Sequence, residues 1–102
     1  MGHRERYEIR VTPEAAKQIR KLAGAERMRL DEALHRLASD GASTSGSRGG
    51  KSLKRIRGRR DRFFRLRVGD MRVVFEILKE ERVLHVAGVV NRRDLERWLR
   101  GR

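Results

Sequence analysis

The spacing of apolar residues changes period twice along the chain. Tyr7, Ile9 and Val11 alternate with Glu8, Arg10 and Thr12, the period-two signature of a half-buried strand. From Pro13 the period lengthens, and Ala15, Ala16, Ile19, Leu22 and Ala23 share one helical face. Thr12 is suited to the N-cap, Pro13 to the first helical position and Glu14 to the first turn, while Gly24 stands where a C-cap is expected. Leu30, Ala33, Leu34 and Leu37 repeat the helical spacing, with Asp31 and Glu32 near the start of this second helix. So short a break between the two predicts an antiparallel helical hairpin.

Residues 40–52 are mostly Gly, Ser, Ala and Thr, a flexible connection within one domain and not a second core. Period two then returns. Phe64, Leu66 and Val68 alternate with Arg65 and Arg67; Gly69-Asp70 predicts a tight turn; Met71, Val73, Phe75 and Ile77 alternate with Arg72, Val74, Glu76 and Leu78. Lys79-Glu80-Glu81 predicts a second turn. The stretch from Arg82 to Val90 is almost continuously apolar, as for a central strand covered on both faces. Leu53 to Ile56 is a candidate edge strand, and a helix carrying Leu95, Trp98 and Leu99 closes the chain. The expected class is α+β in the order β-α-α-β-β-β-α. One domain over residues 1–102 would hold a small antiparallel sheet, the helical hairpin on one face and a short C-terminal helix. Its other face would be left partly open with arginines on it.

Length and composition bound the chemistry. With 102 residues, 37% hydrophobic and 40% charged, the chain supports one small core. The absence of cysteine excludes disulfides, zinc–cysteine sites and a thiol nucleophile. The longest apolar run, residues 86–90, is too short to span a membrane, and the N-terminus lacks a signal-peptide stretch, so a cytoplasmic protein without membrane contact is expected. His3, His35 and His85 are isolated, no His/Asp/Glu cluster has metal-ligand spacing, and no metal or cofactor is expected. Gly49-Gly50-Lys51-Ser52 follows no strand and lacks the first glycine of a phosphate loop.

Charge changes the picture most. Lys+Arg 27 against Asp+Glu 14 gives a net +13. Residues 1–47 hold 9 basic and 7 acidic residues, whereas residues 48–72 hold 11 basic residues against Asp61 and Asp70. Such a block repels itself unless a polyanion or an acidic protein covers it. Arg65 and Arg67 lie two apart on one predicted strand and share a face, and the Gly69-Asp70 turn returns Arg72 beside them. Arg92 and Arg93 follow the last strand and can reach the same rim. Guanidiniums so placed suit a phosphate, to which each can donate a two-pronged hydrogen bond. The competing reading is a solvated face whose arginines pair with Glu76, Glu80 and Asp94.

The stretch from Gly58 to Ile77, with its arginine-rich strand, Gly69-Asp70-Met71-Arg72 turn and following apolar strand, resembles the core of RelE-like toxins. Val89-Val90-Asn91-Arg92-Arg93-Asp94 is similar to the ending that precedes the last helix in that family, part of the RelE/ParE superfamily of type II toxin–antitoxin systems. The resemblance covers nearly the whole chain. It implies a ribosome-dependent, metal-independent mRNA endoribonuclease in which a ribose 2′-hydroxyl attacks the adjacent phosphodiester. Arg65, Arg67, Arg72 and Arg92 fall where the family places basic catalytic residues, with Glu96 as the candidate proton carrier. Lys51, Lys54, Arg55, Arg57, Arg59, Arg60 and Arg93 are the candidate RNA-binding residues. The chain departs from the family at Asn91, where some members have histidine, and at Leu95 or Glu96, where many have tyrosine. Met71 replaces an aromatic residue and so removes a possible base-stacking platform. Implied partners are the ribosome, mRNA and a cognate acidic antitoxin that assembles with the monomeric toxin into a hetero-oligomer. Two alternatives stay open: a ParE-like toxin that inhibits DNA gyrase, and an inactive member that only binds RNA or antitoxin.

Overall fold

The computed structural model describes residues 6–40, 53–56 and 62–101. Its strands are β1 (Glu8–Val11), β2 (Leu53–Arg55), β3 (Phe64–Val68), β4 (Met71–Leu78) and β5 (Val83–Asn91). Its helices are α1 (Pro13–Arg20), α2 (Gly24–Ser39) and α3 (Leu95–Arg100), the last entered through a 3-10 turn over Arg92–Asp94. The strands lie side by side in the order β1-β5-β4-β3-β2. This is the expected α+β arrangement with Leu53–Arg55 as the edge strand. The Gly/Ser-rich connection lies outside the described residues from residue 41 to residue 52.

Local chemistry accounts for the element ends. Thr12 caps α1 as its side chain predicts: Oγ1 accepts the Ala15 amide at 3.1 Å and donates to the Ala87 carbonyl at 3.2 Å. Gly24 departs from expectation. It opens α2 instead of closing α1, because α1 ends at Arg20 and Ala23 is extended, its amide donating to Glu26 Oε1 at 3.4 Å. Asp31 and Glu32 therefore lie inside α2 and not near its start. Gly69 adopts φ +60°, whereas Asp70 has no positive φ; this is the pattern of a two-residue hairpin led by glycine, with Val68 opposite Met71.

The sheet is antiparallel from β2 through β5, and β1 adds to its edge in parallel, Ile9 beside Leu84 and Val11 beside Val86. The all-antiparallel expectation is thus corrected at β1. No tight turn joins β1 to β5, so no hairpin dictates their sense; the Glu8 amide donates to Arg82 and the Thr12 amide to Val86 at the two ends of the pair. Beyond Val11 the exposed edge of β5 is taken over by α1, whose Gln18 Oε1 accepts the Val89 amide at 2.6 Å.

The two sheet faces carry separate cores. On one, Leu66, Val68, Met71, Val73, Phe75, Leu84 and Val86 pack with Ala15 of α1 and Leu30, Leu34 and Leu37 of α2. On the other, Phe63, Val74 and Leu95 form a smaller cluster supported by Ile56, Ala87, Val90, Trp98 and Leu99. The indole of Trp98 lies directly on Gly88, where a β-carbon would stand 2.6 Å from Cζ2, and its Nε1–H donates to Glu14 at 2.9 Å. The second face is consequently half closed by α3, and its remainder is where the arginines lie.

Candidate nucleic-acid interface

Alternation along β3 puts Phe64, Leu66 and Val68 into the larger core, so Arg65 and Arg67 project from the opposite face. Arg67 stands directly across from Arg72 on β4, which in turn neighbours Val90 on β5, and Arg65 stands across from Val74. Arg72 is pinned: its Nη1 donates to the Gly69 carbonyl at 3.0 Å and to the Met71 carbonyl at 2.9 Å. The Arg92 amide donates to the Asp70 carbonyl at 2.8 Å, which fastens the end of β5 to the hairpin turn. Partial burial, followed by the charges of Arg67, Arg65 and Arg92, holds the Arg72 guanidinium below its ordinary pKa, with Asp70 opposing. Four arginines share one electrostatic field.

Among the described residues no carboxylate forms an ion pair with Arg65, Arg67, Arg72 or Arg92. The pairings of the solvated-face reading fall elsewhere: Glu76 Oε2 lies 2.9 Å from Arg62 Nε, and Asp94 Oδ1 lies 2.8 Å from Arg97 Nη2. His85 completes the first of these groups at 3.9 Å from Glu76, a partly exposed histidine with a carboxylate neighbour. Like charges on adjacent rungs destabilise a sheet, so the unpaired cluster opposes folding in the absence of an anion.

The other candidates separate clearly. Arg93 is exposed, its amide and Nε donating to Asn91 Oδ1 at 3.1 and 3.4 Å. The Asn91 side chain thereby caps the 3-10 turn. Of the two residues at the tyrosine-like position, Leu95 is buried in the smaller core and Glu96 is exposed on the first turn of α3. Met71 is buried in the larger core, on the face opposite Arg72, so this position is no platform for a base whatever residue fills it. On β2, Lys54 pairs in register with Arg65 and Arg55 with Phe64. Lys51, Arg57, Arg59 and Arg60 lie outside the described residues.

Sequence reasoning missed Arg29. From α2, its Nη1 comes within 3.8 Å of the point where a β-carbon on Gly69 would sit, beside the turn whose carbonyl binds Arg72. Nothing in the helical spacing marked it, because an exposed arginine on a charged helix carries no local signal. Among the described residues no three His, Asp or Glu side chains converge as metal ligands, and no helix is long and apolar enough to cross a membrane.

The chain and its fold match known proteins. The family model described as the ParE toxin of the type II toxin–antitoxin system parDE matches residues 9–96. The chain belongs to that family of toxins, within the RelE/ParE superfamily. The fold is similar to that in the RelBE2 toxin–antitoxin complex of Mycobacterium tuberculosis, at TM-score 0.69 and 21% identity over 87% of this chain and 94% of that one. The archaeal RelE–RelB complex of Pyrococcus horikoshii gives TM-score 0.67 and 19% identity over 84% and 94%. The intact RelBE complex of E. coli gives 0.63 and 23% over 83% and 95%. No curated protein sequence matches the chain.

Proposed function

We propose that this toxin is a ribosome-dependent mRNA endoribonuclease whose open sheet face binds the scissile phosphate. The observation that carries the reading is the set Arg65, Arg67, Arg72 and Arg92, gathered at one end of the sheet and left without ion pairs among the described residues. In the reaction the ribose 2′-oxygen forms a bond to phosphorus while the bond from phosphorus to the 5′-oxygen breaks, leaving a 2′,3′-cyclic phosphate and a free 5′-hydroxyl. The arginines orient the phosphodiester and offset the extra negative charge of the pentavalent transition state. A guanidinium stays protonated and does not shuttle protons, so the proton leaving the 2′-hydroxyl is assigned to Glu96, and the departing 5′-oxygen takes its proton from water. Lys51, Lys54, Arg55, Arg57, Arg59, Arg60 and Arg93 extend the contact along the RNA.

The toxin would be held inactive by a small antitoxin encoded beside it, as the RelB-containing complexes suggest. A net charge of +13 favours an acidic, partly disordered segment that orders as it wraps the basic face and the helical hairpin. The family match supports a second reading, a ParE-like toxin acting on DNA gyrase. Mapping mRNA 5′ ends on translating ribosomes after induction separates the two. Codon-linked cuts are the expected result; gyrase poisoning without cuts would replace the first reading with the second.

A further inference from the structure

We propose that Arg29 carries the phosphate-binding face around the Gly69-Asp70 turn and holds a neighbouring phosphate of the same RNA strand. The inference rests on the reading of the sheet face as a phosphodiester site. α2 covers the sheet face opposite the arginines, so a side chain from it joins them only by reaching past the end of the β3–β4 hairpin. Arg29 does this. Its Nη1 lies 3.8 Å from the β-carbon position of Gly69, while Arg72 Nη1 holds the Gly69 carbonyl at 3.0 Å, so two guanidiniums flank one glycine.

Neighbouring arginines of α2 are used differently. Arg27, two residues earlier, spends its guanidinium on the Ile19 and Arg20 carbonyls, at 3.5 and 3.1 Å, and so ties α2 to α1. Arg29 makes no such bond and no ion pair among the described residues, not even with Asp70 on the adjacent turn. A single strand whose phosphate sits against Arg72 and whose backbone leaves over the turn meets this second cation, and the missing side chain of Gly69 leaves the path clear. The chemistry is that of a flexible polyanion with successive phosphates; a lone phosphate has no second charge to place there.

The test uses non-cleavable 2′-O-methyl RNA, as a dinucleotide titrated by NMR and as a strand of about ten nucleotides followed by fluorescence anisotropy across a salt series. Arg29→Ala should bind the longer strand several-fold more weakly and lower its log–log salt slope by about 0.7, the value of one phosphate contact on single strands. It should leave dinucleotide binding unchanged, and Arg29→Lys should restore most of the slope. Arg72→Ala should weaken both ligands. Wild-type behaviour of Arg29→Ala on the longer strand, or equal losses on both lengths, would overturn the role of Arg29 alone. A wild-type protein that binds neither RNA would instead overturn the phosphate-binding reading itself. Circular dichroism confirms that each variant is folded.

Discussion

Two groups of charges occupy the same face of the sheet and are treated differently. At one end, Glu76 of β4 stands between Arg62 and His85, and the cation of Arg62 is met at 2.9 Å. At the other end of the same strand, Arg72 faces Arg67 across the ladder and is also within the field of Arg65 and Arg92, with no ion pair to any of them among the described residues. Between the two lies the small apolar cluster of Phe63, Val74 and Leu95 under α3. A strand able to supply a glutamate at position 76 supplies none near 72, where the carboxylate of Asp70 on the turn only weakly opposes the field of the arginines. The contrast argues that the unpaired end is kept for an external anion, because a structural surface would place opposite charges on neighbouring rungs.

Arg72→Ala should have the largest effect, since Arg72 is the member held in place by two carbonyls. Removing one such donor is expected to raise the barrier by about 2.7–4 kcal/mol, seen as a loss of cleavage at mapped mRNA sites. Gly88→Ala acts on the divider between the two ends. Its β-carbon would sit 2.6 Å from Trp98 Cζ2, so α3 must lift, destabilising the fold by about 1–3 kcal/mol. Urea unfolding followed by the fluorescence of Trp98, the one tryptophan in the chain, measures it; an unchanged midpoint would mean the ring does not lie on the strand.

Smaller effects should have opposite signs at the two ends. Arg67→Ala relieves a like-charge pair and is expected to stabilise the fold by about 0.2–1 kcal/mol while it impairs cleavage. Glu76→Gln removes the neutralising partner at the other end and should cost about 0.5 kcal/mol, since Arg62 is largely exposed, with cleavage intact. Thermal denaturation of the two variants side by side checks the signs. Destabilisation by both would place Arg67 in a structural role.

Much of this was readable before the structure. Alternation through Phe64–Val68 and Met71–Leu78 predicts both strands and puts Arg65 and Arg67 on one face, and the two-residue Gly69-Asp70 turn sets the register that adds Arg72 to it. Thr12-Pro13-Glu14 predicts the start of α1 for an equally local reason. What stayed hidden had both distant and local causes. The parallel docking of β1 on β5 joins segments with no connecting turn, and Gly24 suits either end of a helix until Ala23 and Glu26 are seen to cap the second one. Met71 reads as a lost stacking platform, yet the alternation that turns Arg72 outward already sends it to the core, where it is buried. Arg29 became visible because α2 runs past the Gly69 turn, which no helical period encodes.

On the proposed function, Arg65, Arg67, Arg72 and Arg92, which have no ion pairs among the described residues, are held ready for an RNA phosphate. The most direct test is the combined Arg65→Ala, Arg67→Ala, Arg72→Ala protein, assayed in parallel for mRNA 5′ ends on translating ribosomes and for thermal stability. The cuts should disappear while the melting temperature holds or rises, because a self-repelling cluster has been removed. Undiminished cutting, or a loss of activity that merely follows from unfolding, would contradict that role.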